Sequence, residues 1–253
     1  MVPRAFETIP VPGWPAKPRE QGITMVLDWG LPNSFLADLL RMAADSIDIA
    51  KIAIGTGRLY PEPYLREKIA IYQGYKVDPC PGGNLFEHAA AQGLADDFLK
   101  AAWALGFRHV EASNNRGLLP RREVGPLITK ARHEYGFRVF GEVGSEVERT
   151  SVSEMISDIR ECLAAGSEKV YVEATDLVES GVFDVARAKA LAAAVSPDHL
   201  IFELAGWWVK GMDMFEVHRA MVELVKHFGP LVNIGNVAPE DVFLLECVRR
   251  DLE

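Results

Sequence analysis

The sequence is poor in cysteine, carries no excess of positive charge and contains no long apolar run. Cys80, Cys162 and Cys247 lie far apart, with no Cys-x-x-Cys and no Cys/His pairing. That excludes a disulfide framework or a zinc site and reads as reduced thiols in a cytoplasmic protein. No run of 18 apolar residues occurs, so no membrane span is expected. Residues 1–18 hold five prolines and no apolar centre, which excludes a secretory signal and predicts an extended N-terminal segment. The net charge of −9 excludes a nucleic-acid backbone as partner. A small anionic substrate stays possible, because a metal ion or a few local cations can override a negative overall field. The six histidines are scattered, His109 falls within a strand, and none pairs with Ser or Cys in a hydrolase arrangement.

What is present is a repeat. Short β-rich runs at 23–28, 47–54, 75–78, 108–112, 137–142, 169–173, 199–204 and 231–234 alternate with amphipathic stretches. The latter lie at 33–45, 62–73, 94–105, 121–135, 152–165, 184–195, 212–227 and 239–250. Gly106, Gly136, Gly166 and Gly229 each follow a helical run, as stop signals do. Pro120 and Pro239 suit early helical positions, and Ser151 with Glu154 has capping-box spacing. Eight strands alternating with eight helices predict parallel βαβ units. A doubly wound sheet is the competitor, but no glycine-rich dinucleotide fingerprint follows an early strand. The expected fold is a single (β/α)₈ TIM barrel with eight parallel strands, with residues 1–253 as one domain.

Most strands end in an acid. Asp28, Glu111, Glu142, Glu173 and Glu203 close strands one, four, five, six and seven, and Asn233 is read as the end of strand eight. From 111 onward the intervals are 31, 31, 30 and 30 residues, so these residues should occupy equivalent places on the C-terminal rim, where barrel active sites lie. Carboxylates crowded there repel one another, and folding alone gives no reason for them. A hard divalent cation, Mg²⁺, held by Glu142, Glu173 and Glu203, would relieve the repulsion. Lys51 on strand two would do so by pairing with a neighbour, and would serve as acid, base or electrostatic stabiliser, with Glu111 and Glu142 as the other catalytic candidates. Against this, any one strand-end Glu can simply bond a loop amide or a basic neighbour.

Other residues are candidates for substrate contact. Gly82, Gly83 and Asn84 follow strand three, where paired glycines let backbone approach a ligand; a plain turn explains them equally well. Gly55-Thr56-Gly57 is similar. Ser113 lies just past Glu111. Asn233, Gly235 and Asn236 precede a helix start at Pro239, where barrel enzymes hold phosphate. Cys80 at a strand end is either reactive or inert packing. Trp29 and the pair Trp207-Trp208 would wall a pocket or form a subunit contact.

With these residues in hand, the chain resembles the phosphosulfolactate synthase family from Lys17 to Arg250. The matching stretches are KPREQGITMVLDWGL (17–31), AKIAIGTGRLYPEPYLREKIAIY (50–72), PGGNLFE (81–87), EVG (142–144), VNIGN (232–236) and LECVRR (245–250). The resemblance implies a barrel enzyme that adds sulfite to phosphoenolpyruvate with Mg²⁺, with Lys51 as proton donor and Glu142, Glu173 and Glu203 around the metal. Departures cluster where the family carries cations. Trp29 stands in place of a lysine, Ser145 and Glu146 replace basic residues, and Glu173 to Gly181 has two extra residues and no arginine. Phe202 to Lys210 is rebuilt around two tryptophans, with Lys210, Arg58, Arg116 and Arg249 as remaining candidates for anion contact.

The expectation is a Mg²⁺-dependent lyase or synthase acting through enolate-type charge on a small carboxylic acid less anionic than the family's substrate. It would be a homo-oligomer in the cytoplasm. Two alternatives are a metal-free barrel with Lys51 as base or Schiff-base nucleophile, and a catalytically altered barrel acting as a binding or assembly protein through Trp29, Trp207 and Trp208.

Overall fold

The computed structural model describes residues 5–252. Eight parallel strands form the barrel: β1 (Thr24–Asp28), β2 (Ile49–Ile52), β3 (Asp78–Pro81), β4 (His109–Ala112), β5 (Arg138–Val143), β6 (Lys169–Val172), β7 (Leu200–Glu203) and β8 (Ile234–Val237). Around them lie α1 (Asn33–Ala43), α2 (Glu62–Gly74), α3 (Gly83–Ala91), α4 (Ala95–Leu105), α5 (Val124–Thr129), α6 (Val152–Ala164), α7 (Val185–Ala194), α8 (Met214–Phe228) and α9 (Val242–Arg249). A small hairpin, Val178–Glu179 with Val182–Phe183, decorates the loop after β6. The strand order is β3-β2-β1-β8-β7-β6-β5-β4, the (β/α)₈ barrel expected.

The helix signals act as read. Ser151 and Glu154 form a complete capping box at α6. Gly106 and Gly166 take left-handed φ values of 112° and 105°, which reverse the chain into the next strand. Three boundaries differ. The stretch Tyr75 to Val77 is a turn, with Lys76 at φ 58°, and β3 begins at Asp78. Strand eight begins three residues later than read, so Asn233 precedes it. Gly83–Ala91 is an additional helix, starting directly after β3.

The barrel lacks one ladder, between β3 and β4. The cause is in the sequence of β3, Asp-Pro-Cys-Pro. Asp78 N and Gly82 N donate to Asp48 and Ile52 of the β2 side at 2.8 and 2.9 Å. By strand alternation, residues 79 and 81 face β4, and both are proline, without an N–H to donate.

Strand alternation also sorts the core. Outward residues such as Val26, Ala50, Val110, Val139, Val170 and Phe202 pack under the helices. Inward residues Met25, Leu27, Ile49, Cys80, Phe140, Tyr171 and Ile201 fill the barrel itself. Two residues further along, on β2, β4, β5 and β7 and just past β6, the inward series becomes charged, at Lys51, Glu111, Glu142, Glu173 and Glu203. The carboxylate ladder is therefore the top layer of the barrel's own packing. At the opposite end Trp14 of the N-terminal segment lies under Arg19, Arg249 and Arg250, whose guanidinium carbons are 5.9, 5.1 and 5.3 Å from the ring centre.

Candidate active site

The charged layer opens into a cavity of about 440 Å³ walled by Leu27, Trp29, Ile54, Gly82, Gly83, Asn84, Asn115, Glu146, Thr175, Trp208, Val209, Lys210 and Asn236 above the ladder residues. At its floor, Lys51 Nζ lies 2.6 Å from Glu111 Oε2, 2.6 Å from Glu203 Oε1 and 3.7 Å from Glu142 Oε1. The same ammonium sits 4.5 Å from the centre of the Tyr171 ring, which closes it off from below. Glu142, Glu173 and Glu203 bring carboxylate oxygens within 4.8 Å of one another.

Four carboxyl groups and one ammonium, all buried, set the electrostatics. Burial alone would pull the Lys51 ammonium down, but Glu111, Glu142 and Glu203 together hold it well above the ordinary lysine value. A neutral amine, which a base or Schiff-base nucleophile needs, is opposed by this setting. Burial, then repulsion from Glu111, Glu203 and Glu173, drives Glu142 well above the carboxylate range against the pull of Lys51. Burial and Glu203 push Glu173 up to about 8. Burial also raises Glu203, with Lys51 opposing it. The protein alone thus tends to hold protons here, a cost that a cation would remove.

Local structure explains the supports. Gly83 N, in the first turn of α3, donates to Glu111 Oε1 at 2.9 Å, so a helix N-terminus fixes that carboxylate. A Cβ at Gly83 would lie 2.5 Å from both Glu111 Oε1 and Ser113 Oγ, and one at Gly82 would lie 2.7 Å from Ile54 N. The paired glycines allow close approach of the chain to itself, and both also line the cavity. At β8 the register against β1 slips between Ile234 and Val237, a bulge in which Asn236 takes φ 55° and reaches the cavity wall. Gly235, level with Glu203, leaves room for the Glu203 and Met25 side chains.

Not every expected residue arrives at the rim cavity. Asp28 is out of phase by one residue: Leu27 faces in, and Asp28 faces α2. Its carboxylate accepts from Lys68 Nζ at 2.5 Å, Tyr72 Oη at 2.9 Å and the Gly30 and Leu31 amides, a buried structural knot. Asn233 lies at the far end, with Oδ1 accepting from Ile23 N at 3.0 Å and Nδ2 donating to Leu200 O at 3.0 Å. Equal spacing misleads there because the chain before β8 runs three residues longer. Ser113 lies against Gly83, behind the wall. Trp207, 81% exposed, packs outside Trp29 and Trp208, with ring centres 6.0 and 5.9 Å away; Trp208 is the one that lines the cavity beside Trp29. Cys80 is fully buried and its thiol is pushed up by burial, so it is inert. Arg249 donates to Gly22, Ile23 and Val232 carbonyls at the opposite face.

Sequence reading missed Asn115 and Thr175, which follow β4 and β6; Lys210, one of the candidate cations, does line the cavity. Asn115 is 1% exposed, and its Nδ2 donates to Glu173 Oε2 at 2.7 Å. Among the described residues, Lys51 and Lys210 are the only cations lining the cavity, against five glutamates. Two of the rim helix starts present acidic groups. That of α3 faces Glu111, and α9 is entered through Pro239-Glu240-Asp241. No helix among the described residues is long and apolar enough to cross a membrane.

Comparisons with known proteins agree with the sequence resemblance. The phosphosulfolactate synthases of Methanothermobacter thermautotrophicus and Methanocaldococcus jannaschii are 32% and 31% identical to this chain. They match 93% and 92% of it and 91% and 92% of themselves. The Bacillus subtilis phosphosulfolactate synthase is 29% identical over 245 residues, 93% of this chain and 92% of its own. The deoxyribose phosphate aldolase of Aeropyrum pernix (TM-score 0.57, 15% identity, 90% of each chain) shares the barrel. So does the phosphoenolpyruvate phosphomutase of Streptomyces platensis (TM-score 0.53, 12% identity, 88% of this chain and 78% of its own). The model of the (2R)-phospho-3-sulfolactate synthase (ComA) family matches residues 12–253, and the chain belongs to that family.

Proposed function

We propose that this chain is a Mg²⁺-dependent lyase or synthase acting at a carbon–sulfur bond, on a small carboxylic acid less anionic than a phosphorylated one. The observation that carries this reading is the Lys51 ammonium lodged between Glu111 and Glu203 beside the three-carboxylate cluster. The cluster offers oxygen alone, the donor set of a hard cation, so the residues present fit Mg²⁺, held by Glu142, Glu173 and Glu203. When bound, the ion would supply Lewis-acid neutralisation of charge on the substrate carboxylate.

The chain's own groups do the rest. Glu111 and Glu203 hold Lys51 as an ammonium aimed into the cavity. As a sulfur nucleophile bonds to one carbon of the substrate's double bond, the π electrons take the Lys51 proton at the neighbouring carbon. Trp29, Trp208 and Val209 exclude water above this step. With five glutamates and two lysines in the wall, a phosphate and a sulfite together would meet net repulsion. The cation-poor rim therefore supports a less charged substrate.

The test is a thermal-shift titration with Mg²⁺ on the intact chain and on Glu142→Gln and Glu173→Gln. Mg²⁺ should raise the melting temperature of the parent and lose most of that effect in both variants. No shift in the parent, or equal shifts in all three, would overturn the reading.

A second reading is supported by Trp207, which stands almost fully exposed on the other two tryptophans. Here the rim is a self-association surface, whether or not catalysis is kept. Light scattering on Trp207→Ser separates the two: an unchanged mass argues against an oligomer built on this face.

A further inference from the structure

Asn115 holds an unusual position in the cavity. It is 1% exposed, and its Nδ2 is committed to Glu173 Oε2 at 2.7 Å, which fixes the amide's orientation. Its backbone oxygen accepts from Glu146 N at 2.9 Å. The side-chain Oδ1 is buried, has no hydrogen-bond partner and belongs to a wall residue of the cavity. A buried amide oxygen left unpaired costs free energy unless something binds there. The other unpaired buried side-chain atom of an uncharged wall residue, Asn236 Oδ1, is also an oxygen. Beside these stands the exposed carboxylate of Glu146, held by Asn84 Nδ2 at 3.1 Å. The upper wall is thus rich in acceptors, while Trp29, Trp208, Leu27 and Val209 give it an apolar side.

From this complementarity we infer that Asn115 is a specificity-determining residue, and that the ligand is a carboxylic acid with a hydroxyl or ammonium group that donates to Asn115 Oδ1 while its carbon skeleton lies on Trp29 and Trp208. This deepens the proposed function and rests on it for the carboxylic acid. The donor requirement comes from Asn115 alone. A carboxylate lacking the donor leaves the amide oxygen dry and unpaired, so discrimination falls on the donor hydrogen and not on the oxygen or nitrogen that carries it.

Four matched acids test this by calorimetric titration of the whole chain, with saturating Mg²⁺ and with EDTA. They are 3-phenylpropionate, 3-phenyllactate, phenylalanine, and the O-methyl ether of 3-phenyllactate, which keeps the oxygen and loses the donor. Phenyllactate or phenylalanine should bind about tenfold more tightly than phenylpropionate and the ether. In Asn115→Leu that preference should shrink to about threefold or less. Equal affinities in the parent, no binding by any of the four, or a preference that survives Asn115→Leu would each overturn the inference. So would a variant that loses Mg²⁺ affinity while keeping the donor preference, since Asn115 would then be only a prop for Glu173. The parent's discrimination between phenyllactate and its ether decides the matter even if the variant does not fold. A direct Mg²⁺ titration separates the two readings. Mg²⁺ binding without donor preference sinks the inference alone, and donor preference without Mg²⁺ binding sinks the metal-dependent function alone.

Discussion

Lys51 Nζ and Glu203 Oε1 lie 2.6 Å apart in the top layer of the barrel, with side chains 7% and 2% exposed. Removing the ammonium leaves a group of buried acids with no cation. Lys51→Met should lower stability at neutral pH by about 3 kcal/mol, as breaking a buried pair from one side does. It should also abolish turnover. Urea unfolding checks the first part, and the loss should shrink in the double variant Lys51→Met/Glu203→Gln, which removes one of the stranded charges.

The metal-free chain should lose stability as pH rises. Glu173 is held at about 8 in the fold by burial and by Glu203, while in the unfolded chain such a carboxyl titrates near about 4.3. Below that lower value both states are protonated and nothing is lost. Between the two values the unfolded chain ionises while the folded one retains its proton, so unfolding gains with each pH step. In EDTA the melting temperature should fall from about pH 5 to about pH 8, less steeply in Glu173→Gln. Mg²⁺, which needs the deprotonated ligands, should stabilise more at the upper end. A melting temperature that rises over this range in EDTA would contradict the assignment.

Asp28→Asn should behave as a core lesion. Lys68, itself fully buried, would lose its carboxylate partner at a cost of about 3 kcal/mol. Ligand affinity of the folded fraction should be unchanged, since Asp28 faces α2. Paired chemical denaturation and binding measurements distinguish this from a rim residue, whose loss would weaken binding.

Gly83→Ala places a methyl group 2.5 Å from Glu111 Oε1. The carboxylate or the start of α3 must shift, costing about 1–3 kcal/mol in overpacking and disturbing the Lys51 clamp. Activity should fall by more than the folded fraction does. Equal losses of folding and activity would limit Gly83 to a packing role.

The barrel was legible because period and punctuation agree along the chain: Gly106 and Gly166 stop helices, and Ser151 with Glu154 starts one. The ladder was legible because Glu111, Glu142, Glu173 and Glu203 share a phase that alternation carries inward. The same logic misplaced Asp28, where a shift of one residue reverses the facing side, and Asn233, where a longer connection moves the strand. Strand three reads three residues early, at 75–78, because the apolar pattern ends before Asp78 and the true strand carries two prolines; they are tolerated because no neighbour asks for their N–H groups. Asn115 and Thr175 lay beyond reach, and Lys210 was a candidate cation that nothing in the sequence could place in the cavity. Loop residues obey no period, and their place depends on contacts such as Asn115 with Glu173 that only the folded chain creates.

The missing ladder between β3 and β4 gives the barrel a preferred line of parting. Seven strand pairs are laced by backbone–backbone bonds, while the eighth boundary is held by side-chain contacts such as His109 Nδ1 with Asp78 Oδ2 at 3.1 Å and Gly83 N with Glu111 Oε1, so breathing of the wall should concentrate there. The hinge of that movement lies next to the chemistry: Pro81 leads through Gly82 into Gly83, whose amide steadies Glu111 across the gap. Widening of this one boundary would lengthen that bond and loosen the grip on Lys51. Hydrogen exchange at the Gly83 amide would then report on the integrity of the ammonium clamp as well as on the opening of the wall.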